Sequence, residues 1–297
     1  MPKNSVMSKS IGGGGTANIL KLIHGYRLKP KHRLGQNFLI DDSVYEDIIG
    51  AAKLSLDDVV LEIGAGLGTL TERLSPLVKQ VIAVELDHKL AVILRRRLAQ
   101  RVNIKIIEKN ILAVPLTDFG VRRPYKVVAN IPYNITGAFF KKFLTQDTQP
   151  AAMTVLVQRE VGQRIVAKPG RMSLLALSVQ LYATPVLVRP VSASSFYPSP
   201  QVNSVILNVL DIHSFPFADV DEKLFWRVAR IGFAARRKQL HNNLSAGLRL
   251  TAVQAGAVLK EAGLAPKVRA EDLSVIDWSN LAKRLRFFVQ NRAWDKI

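Results

Sequence analysis

The chain contains no cysteine among its 297 residues, which excludes disulfide bonds, thiolate metal sites and cysteine nucleophiles. No apolar run approaches the ~20 residues that a membrane span requires. The first residues also lack the uninterrupted apolar core of a secretory signal. We therefore expect a cytoplasmic protein that does not span a membrane, and we expect no metal ion at its site.

Acidic side chains are scarce at both ends of the chain. The formal net charge is +19, from 42 Lys/Arg against 23 Asp/Glu. Residues 1–35 contain seven basic residues and no acidic residue. Residues 36–211 contain 20 basic and 15 acidic residues, and residues 212–297 contain 15 basic and 8 acidic residues. Such basic ends favour a polyanionic partner such as RNA, DNA or an anionic membrane, although a solvated basic face without a partner is the alternative.

The pattern along the chain predicts three parts. Residues 1–16 include four consecutive glycines and predict a disordered tail. Residues 17–211 alternate short β-branched runs with helical stretches, which predicts an α/β domain. Residues 212–297 have the spacing of amphipathic helices and predict a smaller, all-α C-terminal domain. Together they predict an α/β fold followed by helices.

A glycine-rich loop follows the first predicted buried strand, residues 59–63. The sequence Gly64-Ala65-Gly66-Leu67-Gly68 lets the backbone pass close to a ligand as the strand turns into a helix. Glu85 ends the next strand, 21 positions after Gly64, where its carboxylate could accept both ribose hydroxyls of a nucleoside. The Gly-x-Gly-x-Gly spacing, with Glu62 before it, is more typical of S-adenosylmethionine enzymes than of dinucleotide folds. Asn110, after the third strand, could reach the adenine.

The strand at residues 125–130 stops at the tetrapeptide Asn130-Ile131-Pro132-Tyr133, because proline cannot donate to a sheet ladder. An amide and an aromatic ring are thereby held at the carboxyl end of a strand, where ligands bind in open α/β sheets. This arrangement suits a planar nitrogenous base. The alternative is a strand end followed by an ordinary packing tyrosine.

With these features, the chain resembles the ribosomal RNA adenine dimethyltransferase family, specifically its bacterial small-subunit (16S) members. The resemblance runs from about residue 17 to the C-terminus and depends on five motifs in order. They are residues 34–39 (LGQNFL), 62–66 (EIGAG), 130–133 (NIPY), 196–202 (FYPSPQV), and 236–238 (RRK) with 242–244 (NNL).

The resemblance implies a Rossmann-like, seven-stranded S-adenosylmethionine-dependent methyltransferase sheet with a helical C-terminal domain that binds RNA or the ribosome. It implies two methyl groups on each of two adjacent adenosines, in a hairpin near the 3′ end of small-subunit ribosomal RNA, during subunit biogenesis. It also implies cofactor contacts by Asn37, Leu39, Gly64, Gly66, Glu85, Asn110 and Asn130, and RNA contacts by Arg236, Arg237, Lys238, Asn242 and Asn243. The family usually has an aspartate where this chain has Asn110. We expect a monomer.

For the chemistry, we expect the Asn130 side-chain oxygen and the Ile131 or Pro132 carbonyl to accept the hydrogens of the adenine amine. Tyr133 and Phe196 are expected to sandwich the flipped base. Two rivals remain. One is a large-subunit adenine methyltransferase of the macrolide-resistance type, and the other is a non-catalytic relative that serves in assembly or transcription.

Overall fold

The structure, a computed structural model, describes residues 16–31 and 35–290. Most of the predicted disordered tail, residues 1–15, lies outside the described residues. Thr16, the last residue of the predicted tail, instead begins the first helix. Leu34 of the first motif is also outside the described part.

That part contains eleven α-helices and nine strands. The helices are α1 (Thr16–Gly25), α2 (Asp42–Ala52), α3 (Thr69–Leu74), α4 (His88–Arg97), α5 (Thr136–Leu144), α6 (Arg159–Ile165), α7 (Leu174–Gln180), α8 (Glu222–Gly232), α9 (Leu240–Leu248), α10 (Ala252–Glu261) and α11 (Val275–Gln290). The strands are β1 (Phe38–Leu39), β2 (Val59–Ile63), β3 (Gln80–Glu85), β4 (Ile104–Glu108), β5 (Lys126–Asn130), β6 (Ala152–Gln158), β7 (Thr184–Val191), β8 (Phe196–Tyr197) and β9 (Ser204–Leu210).

Seven of these strands form one sheet in the order β4-β3-β2-β5-β6-β9-β7. The first five are mutually parallel, whereas β9 runs antiparallel to both β6 and β7. The chain moves outward from β2 to β4 and then returns to place β5 beside β2. This reversal opens a crevice at the carboxyl ends of β2 and β5, the usual ligand position in such sheets.

Both faces of the sheet are covered, which explains why its parallel strands read as nearly continuous apolar runs. In β2, Leu61 and Ile63 pack into a cluster with α5 and α7, while Val60 packs on the opposite face with α1 and α2. Asp41 is the N-cap residue of α2, and its side chain accepts the N–H of Ser43. The seven-stranded sheet that the resemblance implied is confirmed.

The four helices after β9 pack on the rest of the chain through a continuous apolar core, to which Leu244 and Trp278 belong. Backbone contacts join them as well, since the Glu271 carbonyl accepts the N–H groups of Gly170 (2.8 Å) and Met172 (3.0 Å). Residues 168–171 form a turn, and these two bonds dock the turn on the segment between α10 and α11. The division into domains at residues 211 and 212 stays a prediction.

Candidate active site

A cavity of about 250 Å³ opens at the carboxyl ends of four neighbouring strands. Its lining comes from the loops after β2, β3, β4 and β5, and from the segment that carries β1. Of the predicted site residues, the cavity brings together Asn37, Leu39, Gly64, Gly66, Glu85, Asn110, Asn130, Ile131, Pro132 and Tyr133.

The glycine loop needs its glycines for two different reasons. Gly64, Gly66 and Gly68 all have φ between +59° and +80°, the left-handed region that favours glycine. At Gly68 a Cβ atom would lie 2.3 Å from the Leu94 side chain, so the start of α3 could not pack against α4. At Gly64 a Cβ atom would lie 3.4 Å from the Asn130 carbonyl. The loop can therefore run directly beside the end of β5.

Glu85 is the carboxylate that fixes this loop. Its Oε2 accepts the N–H of Gly66 at 2.8 Å, and its Oε1 accepts those of Leu86 and Asp87, each at 2.8 Å. Burial raises the pKa of Glu85, while the three backbone donors act in the opposite direction. The carboxylate thus faces the cavity with its orientation already set.

Glu62, on β2, presents a second carboxyl group to the cavity. It is only 2% exposed, and its buried Oε2 accepts no hydrogen bond from any described residue. Burial raises the pKa of Glu62 to about 8; Thr71 offsets part of this effect, and the charge of Glu85 adds to it. A buried acceptor without a donor is costly, and it marks this wall of the cavity as a place for a ligand.

Asn110 follows β4 and is exposed at the rim. Its Oδ1 accepts the N–H of Leu112 at 2.9 Å, in the manner of an Asx turn. This bond orients the side chain and occupies one lone pair of the oxygen. The neighbouring backbone is tied to β3, because Lys109 N–H donates to the Glu85 carbonyl at 3.2 Å.

Asn130 ends β5, and its Nδ2 donates to the Asn37 carbonyl at 3.4 Å. The carbonyls of the next two residues, Ile131 and Pro132, differ in whether they accept a hydrogen bond. The Pro132 carbonyl accepts the N–H of Ile135 at 3.1 Å, whereas the Ile131 carbonyl accepts no hydrogen bond within the described ranges. The amide oxygen of Asn130 and the Ile131 carbonyl are therefore the acceptors that this turn leaves available.

The two predicted base-stacking rings occupy different environments. Tyr133 lines the cavity, and its hydroxyl bonds to the hydroxyl of Ser204, 2.6 Å away. Phe196 does not line it. It is 3% exposed and packs in the core on the α1 and α2 face of the sheet. The structure therefore places Tyr133, but not Phe196, at this cavity, and the stacking roles of both rings stay predictions.

Sequence reasoning missed how residues 35–39 reach the site. The strand β1 pairs antiparallel with β8, with Phe38 opposite Tyr197 and Leu39 opposite Phe196. Gln36 Nε2 and Lys31 Nζ both contact Asp87 Oδ2, at 3.3 Å and 2.6 Å, which fastens the segment to the start of α4. Two-residue strands are too short for a periodic signal, so only the position of Asp87, two residues after the end of β3, could have suggested this anchor.

The basic C-terminal motif lies in the turn between α8 and α9. Arg236, Arg237 and Lys238 are exposed and form no ion pair with any described residue, and Asn242 is also exposed. Asn243 differs: it is 6% exposed, and its Nδ2 donates to the Gly232 carbonyl at 2.6 Å and the Ala235 carbonyl at 3.2 Å. The buried amide of Asn243 holds the turn together and does not fit the predicted direct contact with RNA.

Across the described residues, no group of three or more His, Cys, Asp or Glu side chains could hold a metal ion. A search of the same residues finds no helix of the length and apolarity that a membrane crossing would need.

Comparison with solved structures supports the fold. A dimethyladenosine transferase from Plasmodium falciparum matches with a TM-score of 0.72 at 24% identity, over 84% of this chain and 98% of that one. The 23S rRNA methyltransferase ErmE matches with a TM-score of 0.66 at 26% identity, over 84% and 99%.

Comparison of sequences is more specific. A protein named Ribosomal RNA small subunit methyltransferase A from Dehalococcoides mccartyi is 42% identical over 266 residues, which are 89% of this chain and 91% of that protein. One of the same name from Clostridium botulinum is 37% identical, over 89% and 97% of the two chains. The family described as Ribosomal RNA adenine dimethylase matches residues 27–286. The chain therefore belongs to the ribosomal RNA adenine dimethylase family and, like its relatives, is a methyltransferase.

Proposed function

We propose that this protein transfers methyl groups from S-adenosylmethionine to the exocyclic amines of two adjacent adenosines, in a hairpin near the 3′ end of small-subunit ribosomal RNA. The observation that carries the proposal is the turn at the end of β5. There an amide oxygen and a main-chain carbonyl remain available beside a tyrosine ring and a glycine loop. The substrate follows from the relatives, which are named for the small subunit at 37–42% identity.

The residues around the cavity fit the cofactor. The strand order puts Asn110, Glu85, Gly64 and Asn130 in one row along the sheet edge, which suits adenine, ribose and amino acid in that order. Glu85 keeps acceptor capacity beyond its three backbone donors. Asn37, Leu39 and Gly66 complete the enclosure. When bound, S-adenosylmethionine supplies a methyl group that its sulfonium sulfur already activates.

Asn130 and Ile131 position the nucleophile. The lone pair of the adenine amine is delocalised into the ring, so the nitrogen is a poor nucleophile. Oxygen acceptors on both of its hydrogens favour a pyramidal nitrogen whose lone pair points at the methyl carbon. The Ile131 carbonyl suits this role better than that of Pro132, which already accepts the N–H of Ile135. A neutral acceptor is sufficient, because the proton becomes acidic once the nitrogen is methylated.

Tyr133 supplies an aromatic face for the flipped base. Its hydroxyl is bonded to Ser204, so the ring is held in one orientation at the rim of the cavity. A base stacked on an aromatic side chain gains ~1–3 kcal/mol. The rigid ring therefore provides both binding energy and orientation.

RNA binding comes from the cations, chiefly through phosphate contacts. Arg236, Arg237 and Lys238 suit this role, because they are exposed and form no ion pair within the described part of the chain. The exposed Asn242 suits it too. Because Asn243 braces this turn from inside, it supports the contact indirectly. We propose that the protein works as a monomer in the cytoplasm, on the small ribosomal subunit during its biogenesis.

The test is methyl incorporation from labelled S-adenosylmethionine into unmethylated small subunits, with large subunits and large-subunit RNA in parallel. We expect label only on the small-subunit RNA, as dimethyladenosine in two adjacent positions. The 26% identity to a 23S rRNA methyltransferase makes large-subunit RNA the relevant control substrate. Label on that RNA would move the activity to the large subunit, and label on neither would favour a non-catalytic assembly or transcription factor.

A further inference from the structure

Tyr197, in β8, has an aromatic ring that is accessible to solvent. It is 36% exposed, whereas every other Phe, Tyr or Trp whose exposure the structure describes is buried or half-buried. Its hydroxyl forms no hydrogen bond with any described residue. Its ring meets that of His24, at the end of α1, at an angle of 79° with the centroids 6.2 Å apart. His24 is exposed as well, and the two residues form what we call the ring pair.

The pairing of β8 with β1 puts the ring pair beside the cavity. Tyr197 lies directly opposite Phe38 in this antiparallel pair. Opposite residues point to the same face, with Cβ atoms ~4.5–5.5 Å apart. Phe38 lines the cavity, and a Cβ atom at Gly66 would lie 3.8 Å from its ring. The residue before it, Asn37, accepts the side-chain amide of Asn130. The ring pair is therefore separated from the cavity by the width of one side chain.

Phe38 also lines a second cavity, of about 180 Å³, in which positive charge is in excess. One carboxylate, that of Asp87, faces four basic side chains there, which belong to Arg27, Lys29, Lys31 and Lys89. Lys31 pairs with this carboxylate at 2.6 Å. Arg27 and Lys29 are exposed and form no ion pair with any described residue. Exposed rings beside unneutralised cations are the combination that binds single-stranded nucleic acid, since the rings stack bases and the cations hold phosphates.

We propose that the ring pair stacks a second unpaired base of the substrate RNA, the neighbour of the adenosine that occupies the main cavity. The basic cavity then holds the phosphate between the two nucleotides. This inference rests on the proposed function and adds a second base-binding position to it. Because two adjacent adenosines are modified in turn, the one that is outside the main cavity is the base within reach of the ring pair.

The surroundings of the ring pair suit RNA better than a segment of protein. Lys21, which lies one turn before His24 on the same side of α1, adds a further exposed cation. The ring pair is thus a small flat surface among basic side chains. A polyanion with planar bases complements both features. Since every base has a face that can stack, this position orders the strand while the main cavity selects the adenine.

The first experiment compares four substitutions of Tyr197 in the full-length protein, with methylation of unmethylated small subunits as the readout. Tyr197→Phe and Tyr197→Trp keep an aromatic face, so KM should stay within about threefold of the native value. Tyr197→Leu keeps apolar bulk without that face, and Tyr197→Ala removes both. We expect KM to rise about 10-fold in each of these two variants, which is the loss expected for one base stack. The value of kcat should change much less.

Two controls accompany this series. Kd for S-adenosylhomocysteine, the product form of the proposed cofactor, should stay within about twofold in all four variants, because the ring pair lies outside the main cavity. This result also shows that the variants are folded. Leu56→Ala removes an exposed apolar side chain, 72% accessible, before the start of β2 and so at the opposite edge of the sheet. It should leave KM unchanged.

The second experiment identifies the stacked base. A labelled hairpin RNA with two adjacent unpaired adenosines is compared with hairpins in which either adenosine is replaced by an abasic nucleotide. Fluorescence anisotropy at low salt, where phosphate contacts are strongest, gives Kd for the native protein and for Tyr197→Ala. At one position, loss of the base should weaken binding to the native protein about 10-fold, but binding to Tyr197→Ala by less than about twofold.

The outcomes separate this inference from the proposed function. If Tyr197→Leu had the native KM, or if neither abasic position were coupled to Tyr197, the ring pair would not stack a base, while the proposed function would stand. If the native protein bound no S-adenosylhomocysteine and methylated no small subunits, the proposed function would be wrong, and the second base-binding position would fall with it.

Discussion

The side-chain amide of Asn130 donates to the main-chain carbonyl of Asn37, 3.4 Å away and 93 positions earlier in the chain. The bond fixes the orientation of the amide. Its nitrogen points toward the N-terminal segment, and its oxygen remains available as the proposed acceptor. It also connects the end of β5 to a segment that is itself fastened by β8 and Asp87. The orientation of the proposed acceptor is thus set by tertiary contacts.

Replacing Asn130 should therefore reduce turnover more than cofactor binding. We expect Asn130→Ala to lower kcat by at least about 100-fold, because the amine loses an oriented acceptor. Kd for S-adenosylhomocysteine should change by less than about tenfold, since one neutral hydrogen bond contributes ~0.5–1.5 kcal/mol. Asn130→Asp keeps an acceptor but cannot donate to Asn37. Its kcat should lie between those of the native protein and Asn130→Ala. Near-normal turnover by Asn130→Ala would contradict the assignment.

The two functions of Tyr133 can be separated by a pair of substitutions. Tyr133→Phe removes only the bond to the Ser204 hydroxyl and should change kcat/KM by less than about tenfold. Tyr133→Ala removes the stacking face, and we expect a loss of about 10-fold to 100-fold. Steady-state kinetics with small subunits measures both. Equal losses in the two variants would assign the effect to the hydroxyl and not to stacking.

Asn110 offers a gain-of-affinity test. Its Oδ1 already accepts the N–H of Leu112, so this neutral oxygen has one lone pair left for the adenine amine. Asn110→Asp retains that turn with one oxygen and adds a charged acceptor with the other. We expect Kd for S-adenosylhomocysteine to fall about fivefold, since a charge-assisted bond exceeds a neutral one by ~1 kcal/mol. An unchanged Kd would show that Asn110 does not contact the adenine.

The sequence predicts the centre of the sheet well, because β2 and β5 are buried on both faces and are closely followed by glycine or proline. Residues 59–63 and the loop after them were predictable for this reason, and so was Asn130 at the end of β5. The strand predicted over residues 125–130 begins one residue later, at Lys126. Boundaries depend on local hydrogen bonds that composition does not encode.

The site was less predictable, because contacts distant in sequence decide which side chains face the cavity. Phe196 and Tyr197 are adjacent aromatics, and only the pairing of β8 with β1 turns Phe196 into the core. An asparagine at position 243 would be expected on the surface, but its amide is buried because it donates to the carbonyls of Gly232 and Ala235, at and just after the end of α8. Both outcomes follow from packing between separate elements, which a single sequence does not reveal.

The salt dependence of binding tests the basic turn. Replacing Arg236, Arg237 and Lys238 together by glutamine should weaken binding to small subunits and reduce the slope of log K against log salt by about two. Lys260→Gln, an exposed cation on α10, should leave that slope nearly unchanged. Asn243→Ala should instead lower thermal stability, because two carbonyls lose their donor. If the triple variant kept the native slope, the RNA would contact another surface of the protein.

Glu62 should also shape the pH dependence of stability in the ligand-free protein. Burial raises its pKa from 4.5 to about 8. Between these values the unfolded chain has lost the proton and the folded chain keeps it. The free energy of unfolding therefore falls as pH rises, by about 1.4 kcal/mol per pH unit from this group. Below the lower value both states hold the proton, and above the higher value neither does, so the contribution becomes constant.

Urea denaturation at pH 5.5, 6.5 and 7.5 measures this effect. Glu62→Gln has no proton to exchange, so we expect its stability relative to the native protein to rise across the series. Glu160→Gln removes an exposed carboxyl and should follow the native curve in parallel. If Glu62→Gln also ran parallel to the native protein, Glu62 would be ionised in the folded state throughout this range. Its Oε2 would then need a cationic or hydrogen-bonding partner before any ligand arrives.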